Sequence, residues 1–217
     1  GGEGADLAYG DVNYLALDDN EKEMLSNVAA MKADGTVSKI IVLINSANAL
    51  QVDFLKDNTY NVDACLWIGD VGITGINAVA DILAGNVNPS GSLVDTYCYD
   101  NMSSPAMANF TPVTYEGYTE ELVPEKAKSY MVYQEGIYVG YKYYETRYED
   151  TVMGTGNAGS YVYSDDVAFP FGYGLSYTDF EYSDMTGVYD AATDSYNFNV
   201  TVTNTGDTYS GKETVQI

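Results

Sequence analysis

Met24, Val28 and Met31 recur at i, i+4, i+7, with Leu25 and Ala29 beside them, which is the spacing of one helix face. Asp18-Asp19-Asn20 offers cap oxygens just before it, and Glu21 and Glu23 place negative charge in the first turn. The pattern predicts a helix that ends near Asp34-Gly35. Next, Lys39-Ile40-Ile41-Val42-Leu43-Ile44 is a continuous β-branched and aliphatic run without polar alternation, as expected of a parallel strand covered on both faces. A short, weak helix is expected around Leu50 to Lys56. Asp63-Ala64-Cys65-Leu66-Trp67-Ile68 reads as a second buried strand, with Trp67 at its end suited to either a pocket or a core. Gly69-Asp70-Val71-Gly72 turns the chain, Ile76, Val79, Ala80 and Leu83 mark another helix stopped by Gly85, and Asn88-Pro89-Ser90-Gly91 is a strong turn signal. Strand, helix, strand, helix implies an α/β layered sheet.

The periodicity dissolves between Asn101 and about Tyr130 into Pro, Thr, Ser and Tyr, a long loop of the kind that often carries function. Ile137 to Tyr148 is tyrosine-rich, Gly154 to Ser160 is glycine-rich, and Phe169-Pro170-Phe171-Gly172-Tyr173-Gly174 is turn material packed with aromatics. After about Phe180 the character changes. Tyr196 to Val202 alternates strictly, as an antiparallel strand with one wet face does, Asn204-Thr205-Gly206 turns it, and Lys212 to Ile217 reads as the beginning of another strand. That is the expected opening of a β-sandwich. No internal repeat is present.

Composition narrows the chemistry. The 217 residues suffice for one good-sized core or one domain and part of a second. Lys+Arg is 9 and Asp+Glu is 32, a net charge of −23, which repels phosphate backbones and anionic lipid, so nucleic acid is excluded as a partner and neutral sugars remain admissible. Histidine is absent, so neither a Ser-His-Asp triad nor a His-ligated metal can be built from these residues; acid–base work falls to Asp, Glu, Tyr, Lys or Cys. The two cysteines, Cys65 and Cys98, make no disulfide framework and no zinc spacing. No apolar run is long enough to span a membrane. Sequons begin at Asn101, Asn109 and Asn199. The chain starts without Met, without the pattern of a signal peptide, and stops within a strand-like run, and it is expected to be a fragment cut at both ends.

Four stretches carry a resemblance. Gly2-Glu3-Gly4-Ala5-Asp6, Ala84-Gly85-Asn86-Val87-Asn88-Pro89-Ser90-Gly91, Tyr133-Gln134-Glu135-Gly136-Ile137-Tyr138-Val139-Gly140-Tyr141-Lys142-Tyr143-Tyr144 and Phe169 to Thr178 occur in the order found in glycoside hydrolase family 3, which this sequence resembles over nearly its whole length. Lys142 stands where arginine is common, and Ser92 and Val94 replace the Lys and Pro often found after N-P-S-G. The resemblance implies an α/β fold: an αβα sandwich with a mostly parallel sheet over residues 1–179, its first strand missing, then over 180–217 the truncated start of a fibronectin type III-like β-sandwich. It implies a retaining β-glycosidase, a β-glucosidase foremost, acting on terminal non-reducing β-linked sugars. A β-xylosidase, or a non-catalytic carbohydrate-binding or interface module, is the alternative.

Retaining hydrolysis needs two carboxyl groups about 5–5.5 Å apart, one nucleophile and one acid/base. By the resemblance Glu3 is the acid/base, presented by a glycine-flanked loop that can turn tightly, and the nucleophile is an aspartate on a TIM barrel absent from this chain. No cofactor or metal is required. The partners implied are a β-linked oligosaccharide or glycoside and the barrel of the same parent. Asp6 is a candidate for orienting the Glu3 loop. Glu135 is the rival carboxylate; the residues around it read as a turn in which it pairs with Lys142 or Arg147.

Overall fold

The structure, a computed structural model, describes residues 15–110, 113–117 and 129–215. It is a mixed α/β fold of helices and small sheets that divides into two compact units, one of residues 1–70 and 94–171, the other of residues 71–93 and 172–217.

The first unit opens with α1 (Asp19–Ala33). Asp18 caps it in a reciprocal box: its side chain accepts from the Glu21 N–H while Glu21 accepts from the Asp18 N–H. The helix buries Leu25, whereas Met24 and Met31 are exposed, so its inward face is rotated from the expected Met24–Val28–Met31 stripe toward Leu25, Val28, Ala29 and Lys32. Lys32 explains the rotation. Its ammonium reaches Asp63 Oδ2 at 2.7 Å and the Asn61 carbonyl at 2.8 Å, which turns this side of the helix inward. β1 (Ile41–Ile44) and β2 (Ala64–Trp67) run parallel, Ile41 opposite Ala64 through Ile44 opposite Trp67. Ile40 and Ile44 are buried but Ile41, Leu43 and Cys65 are exposed, so the pair is not covered on both faces as the apolar run predicts. Between the strands, the weak helix expected at Leu50–Lys56 is a 3-10 helix over Asp53–Asn58.

β3 (Tyr97–Cys98) precedes the expected long loop, whose described residues hold short pieces: a 3-10 turn (Asn101–Ser103), α3 (Pro105–Ala108), β4 (Val113–Thr114) and β5 (Ser129–Tyr130). The tyrosine-rich stretch is a helix, α4 (Tyr141–Met153), ended by Gly154 in the left-handed conformation. α5 (Tyr163–Asp166) and β6 (Val167–Phe169) follow, and β6 pairs antiparallel with β3. A core of Cys98, Tyr144 and Val167 lies here, with Tyr143, Tyr161 and Tyr163 packed on it, and Ser103 Oγ meets the Tyr144 hydroxyl at 2.8 Å. Burial pushes the Cys98 thiol up to about 11 and the Tyr97 hydroxyl up to about 12.

The second unit contains α2 (Gly72–Leu83), the Asn88–Gly91 turn and a long antiparallel ribbon, β7 (Phe180–Asp190) with β8 (Ser195–Asn204). Asn88 is its hub. Its Oδ1 accepts from the Tyr177 N–H at 2.7 Å and Ser176 Oγ at 3.0 Å, while its Nδ2 donates to the Ser210 carbonyl at 3.1 Å. A Cβ on Gly174 would stand 2.5 Å from the Gly91 carbonyl oxygen, so glycine is required where the two turns meet. Residues 212–215 add no strand to the ribbon, although the alternation predicts one; instead the Lys212 N–H donates to Ser90 Oγ at 3.1 Å and Glu213 accepts from the Tyr182 hydroxyl. No helix among the described residues is long and apolar enough to cross a membrane.

Candidate functional site

Glu3 and Asp6 lie outside the described residues. The described chain begins beside the loop that leaves the C-terminal end of β1, the end of a parallel strand where α/β sheets usually present their ligands. The Leu15 carbonyl accepts from the Gln51 N–H at 2.6 Å. Gln51 in turn accepts, through Oε1, from the Asn101 N–H at 3.1 Å, and Asn101 Nδ2 donates to the Ala49 carbonyl at 3.2 Å. Asn101 is buried by these contacts, so the sequon it begins offers no free amide in this fold. At the end of β2 the Trp67 indole N–H donates to the Ser46 carbonyl at 2.9 Å, closing the tips of the two parallel strands together.

Glu135, the third carboxylate singled out in the sequence, sits in a turn between β5 and α4. Its carbonyl accepts from the Tyr138 N–H at 3.0 Å. It pairs with neither Lys142 nor Arg147, which corrects the expected ion pair. Arg147 instead donates to the Ala158 carbonyl at 2.7 Å and lies over the rings of Tyr143 and Tyr161, so aromatic faces and a carbonyl take the place of a carboxylate. Glu135 Oε2 is buried without a hydrogen-bond partner among the described residues. Gly140, at φ +54°, closes the turn, and a Cβ there would come 3.3 Å from Asp95 Oδ1.

The ion pairs among the described residues, Lys32–Asp63 at 2.7 Å and Lys39–Asp63 at 3.1 Å, both converge on Asp63, away from the carboxylates proposed for chemistry. Among the described residues no group of three or more Cys, Asp or Glu could hold a metal ion. Asn88 is the residue whose importance the sequence understates. N-P-S-G is legible as a turn, but nothing in the motif shows that its amide also binds Tyr177 and Ser210, some ninety and more positions away.

A profile of the glycosyl hydrolase family 3 C-terminal domain matches residues 1–141. The chain belongs to this family. The match contains Glu3, Asp6 and Glu135 and ends at the first residue of α4. The family 3 domain is similar along nearly all its length to a beta-glucosidase of Ruminococcus albus, 32% identical over 205 residues, which is 94% of this chain and 17% of that protein. It is 31% identical over 209 residues to an exo-alpha-(1->6)-L-arabinopyranosidase of Bifidobacterium breve, covering 95% of this chain and 22% of that protein. Among solved structures it resembles beta-glucosidase 3B from Thermotoga neapolitana in complex with glucose, with a TM-score of 0.63 and 32% identity over 92% of this chain and 23% of that one. The chain thus spans about a fifth of the length of the relatives it matches.

Proposed function

We propose that this family 3 domain serves a retaining β-glucosidase by supplying the acid/base carboxyl of Glu3 to a nucleophile carried by a TIM barrel elsewhere in the parent polypeptide. The observation that carries this reading is the match of the family's C-terminal domain over residues 1–141, with G-E-G-A-D inside it. In the first step Glu3 protonates the departing glycosidic oxygen as the nucleophile forms the glycosyl-enzyme. In the second it takes a proton from the water that hydrolyses that intermediate. Its carboxyl must be protonated at the outset, which partial burial and a neighbouring carboxylate favour. Asp6 orients the loop, and Glu135 takes no part in the chemistry.

The domain organisation follows the same reading. Residues 1–179 form an αβα sandwich to which the parallel β1–β2 pair belongs. The ribbon β7–β8 opens a fibronectin type III-like sandwich from residue 180. In support of the latter, Tyr182, Tyr189, Tyr196 and Phe198 stand exposed on a two-stranded ribbon, which by itself is marginal in water.

In the parent enzyme, Glu3→Ala lowers kcat on glucosides with poor leaving groups by roughly 10²–10⁴-fold. Activated aryl glucosides are largely spared, and azide restores part of the turnover. Equal losses on both substrate types without rescue would remove Glu3 from the acid/base role. The 217-residue chain by itself releases no aryl glucoside, because one of the two carboxyl groups is missing; Glu3-dependent release would contradict the split site. The Bifidobacterium breve relative favours a second reading of the sugar alone, an arabinopyranoside. Comparing kcat/KM on aryl β-glucoside, β-xyloside and α-L-arabinopyranoside decides it.

A further inference from the structure

We propose that the 217-residue chain pairs with a second copy of itself along the free edge of β8, joining two β7–β8 ribbons into one four-stranded antiparallel sheet. The pairing does not depend on the acid/base role of Glu3. Among the described residues β8 has β7 on one edge and no strand on the other. A bare edge is a template for another strand, and proteins guard such edges with charges, prolines or bulges. β7 is guarded: it carries Glu181, Asp184 and Asp190, and its register breaks between Ser183 and Thr186, where Asp184 takes φ +54°. β8 is not guarded. Its ten residues hold no charge, proline or glycine, in a chain of which 19% is charged.

The sequence of β8 is also complementary to itself. A two-fold axis at Asn199 sets Tyr196 of each copy opposite Val202 of the other, and Phe198 opposite Val200, on one face of the sheet. On the other face Asn197 meets Thr201. Aromatic–β-branched and hydrogen-bonding pairs of this kind stabilise adjacent strands. The rings that gain neighbours are those the single ribbon leaves open, Tyr196 at 67% and Phe198 at 46% exposure, stacked 6.1 Å apart along the strand. Two strands are marginal in water, whereas three or more with an apolar face are stable. A symmetric pairing of β7 would instead gather three carboxylates from each copy along one seam. Each copy carries −23, so uncharged β8 is where two such chains approach with the least repulsion, and salt strengthens the contact by screening the rest.

Sedimentation equilibrium and cross-linking test this. The chain is expected to exchange between monomer and dimer, with the dimer constant roughly tenfold or more higher in 1 M sodium chloride than in 10 mM. In a Cys65→Ser background, Asn199→Cys yields a covalent dimer with a short bismaleimide, because residues directly opposite lie about 5 Å apart. Thr203→Cys yields none, because its two copies stand eight positions apart, about 27 Å; the background without an added cysteine is the blank. Asn199→Lys places two ammonium groups at the axis and weakens the dimer roughly tenfold or more, whereas Asn27→Lys, the same change of charge on exposed α1, does not. A chain that stays monomeric in 1 M salt overturns the proposal, and so does equal cross-linking of Asn199→Cys and Thr203→Cys. Amide protection along β8 that is independent of concentration also overturns it, by assigning the edge to residues 212–217 of the same chain. Should Asn199→Lys unfold the ribbon, the two cysteine variants decide the matter by themselves.

Discussion

At the residue scale, Asp63 shows how much a single side chain can organise. It accepts from Lys32 at 2.7 Å, from the Ile40 N–H at 2.7 Å and from Lys39 at 3.1 Å, and its own N–H donates to the Ile40 carbonyl at 2.9 Å. These bonds join the end of α1 to the starts of both parallel strands and so set their register. The Lys32 hydrogen bond, then the Ile40 N–H and Lys39, hold its carboxyl well below the ordinary value of 3.8. A depressed carboxylate stabilises the fold above its unfolded value and loses that contribution as pH falls from there toward the folded value. Asp63→Asn therefore lowers the melting temperature at pH 5–7, and the gap to the unaltered chain narrows progressively below about pH 4. Melts that differ by a constant amount from pH 7 to pH 3 would show that charge is not the origin of the effect. Residue identity made this aspartate no different from thirty-one other acids; only folding brings two lysines and an N–H to it. The same limit applied to Glu135, whose expected cationic partner turned to a carbonyl and two tyrosine rings.

At the element scale, signals confined to a few neighbouring residues were read well. The box at Asp18 and Glu21, the stop at Gly35, the helix over Gly72–Leu83 with Gly85 behind it and the alternation of β8 all depend on local geometry, and all are present. Signals that depend on what covers an element were read less well: α1 turns Leu25 rather than the methionines inward, and α4 is hidden in a tyrosine run whose rings serve a core and an arginine. Asn88 belongs to the second kind. Its amide ties the exit of α2 to the entry of β7 and to Ser210, so these segments stand or fall together. Asn88→Ala removes three hydrogen bonds, all at an exposed site, and costs about 1–2 kcal/mol. The amides of Tyr177 and the neighbouring β7 residues exchange faster in that variant, and those of α1 do not. Unaltered exchange at Tyr177 would mean that the turn holds without its amide.

At the scale of the whole molecule, charge decides more than any contact. Thirty-two acids face nine bases, and among the described residues the ion pairs converge on Asp63 alone. No other salt bridge joins two described residues, and the mutual repulsion of so large an excess of acids is weaker in the expanded unfolded chain than in the fold. Salt screens that repulsion. The Debye length shrinks from about 30 Å at 0.01 M to about 3 Å at 1 M, so neighbouring acids on the surface cease to sense each other. The few salt bridges that screening would weaken are outnumbered, and exposed pairs contribute little in any case. The melting temperature should accordingly rise with sodium chloride from 10 mM to 1 M, and charge-reversing Glu→Lys changes on the outer face of α1, at Glu23 for example, should raise it at 10 mM and lose that advantage at 1 M. A melting temperature that falls with salt would mean that attraction dominates, and that the acids are matched by cationic groups in a way the ion pairs on Asp63 do not represent.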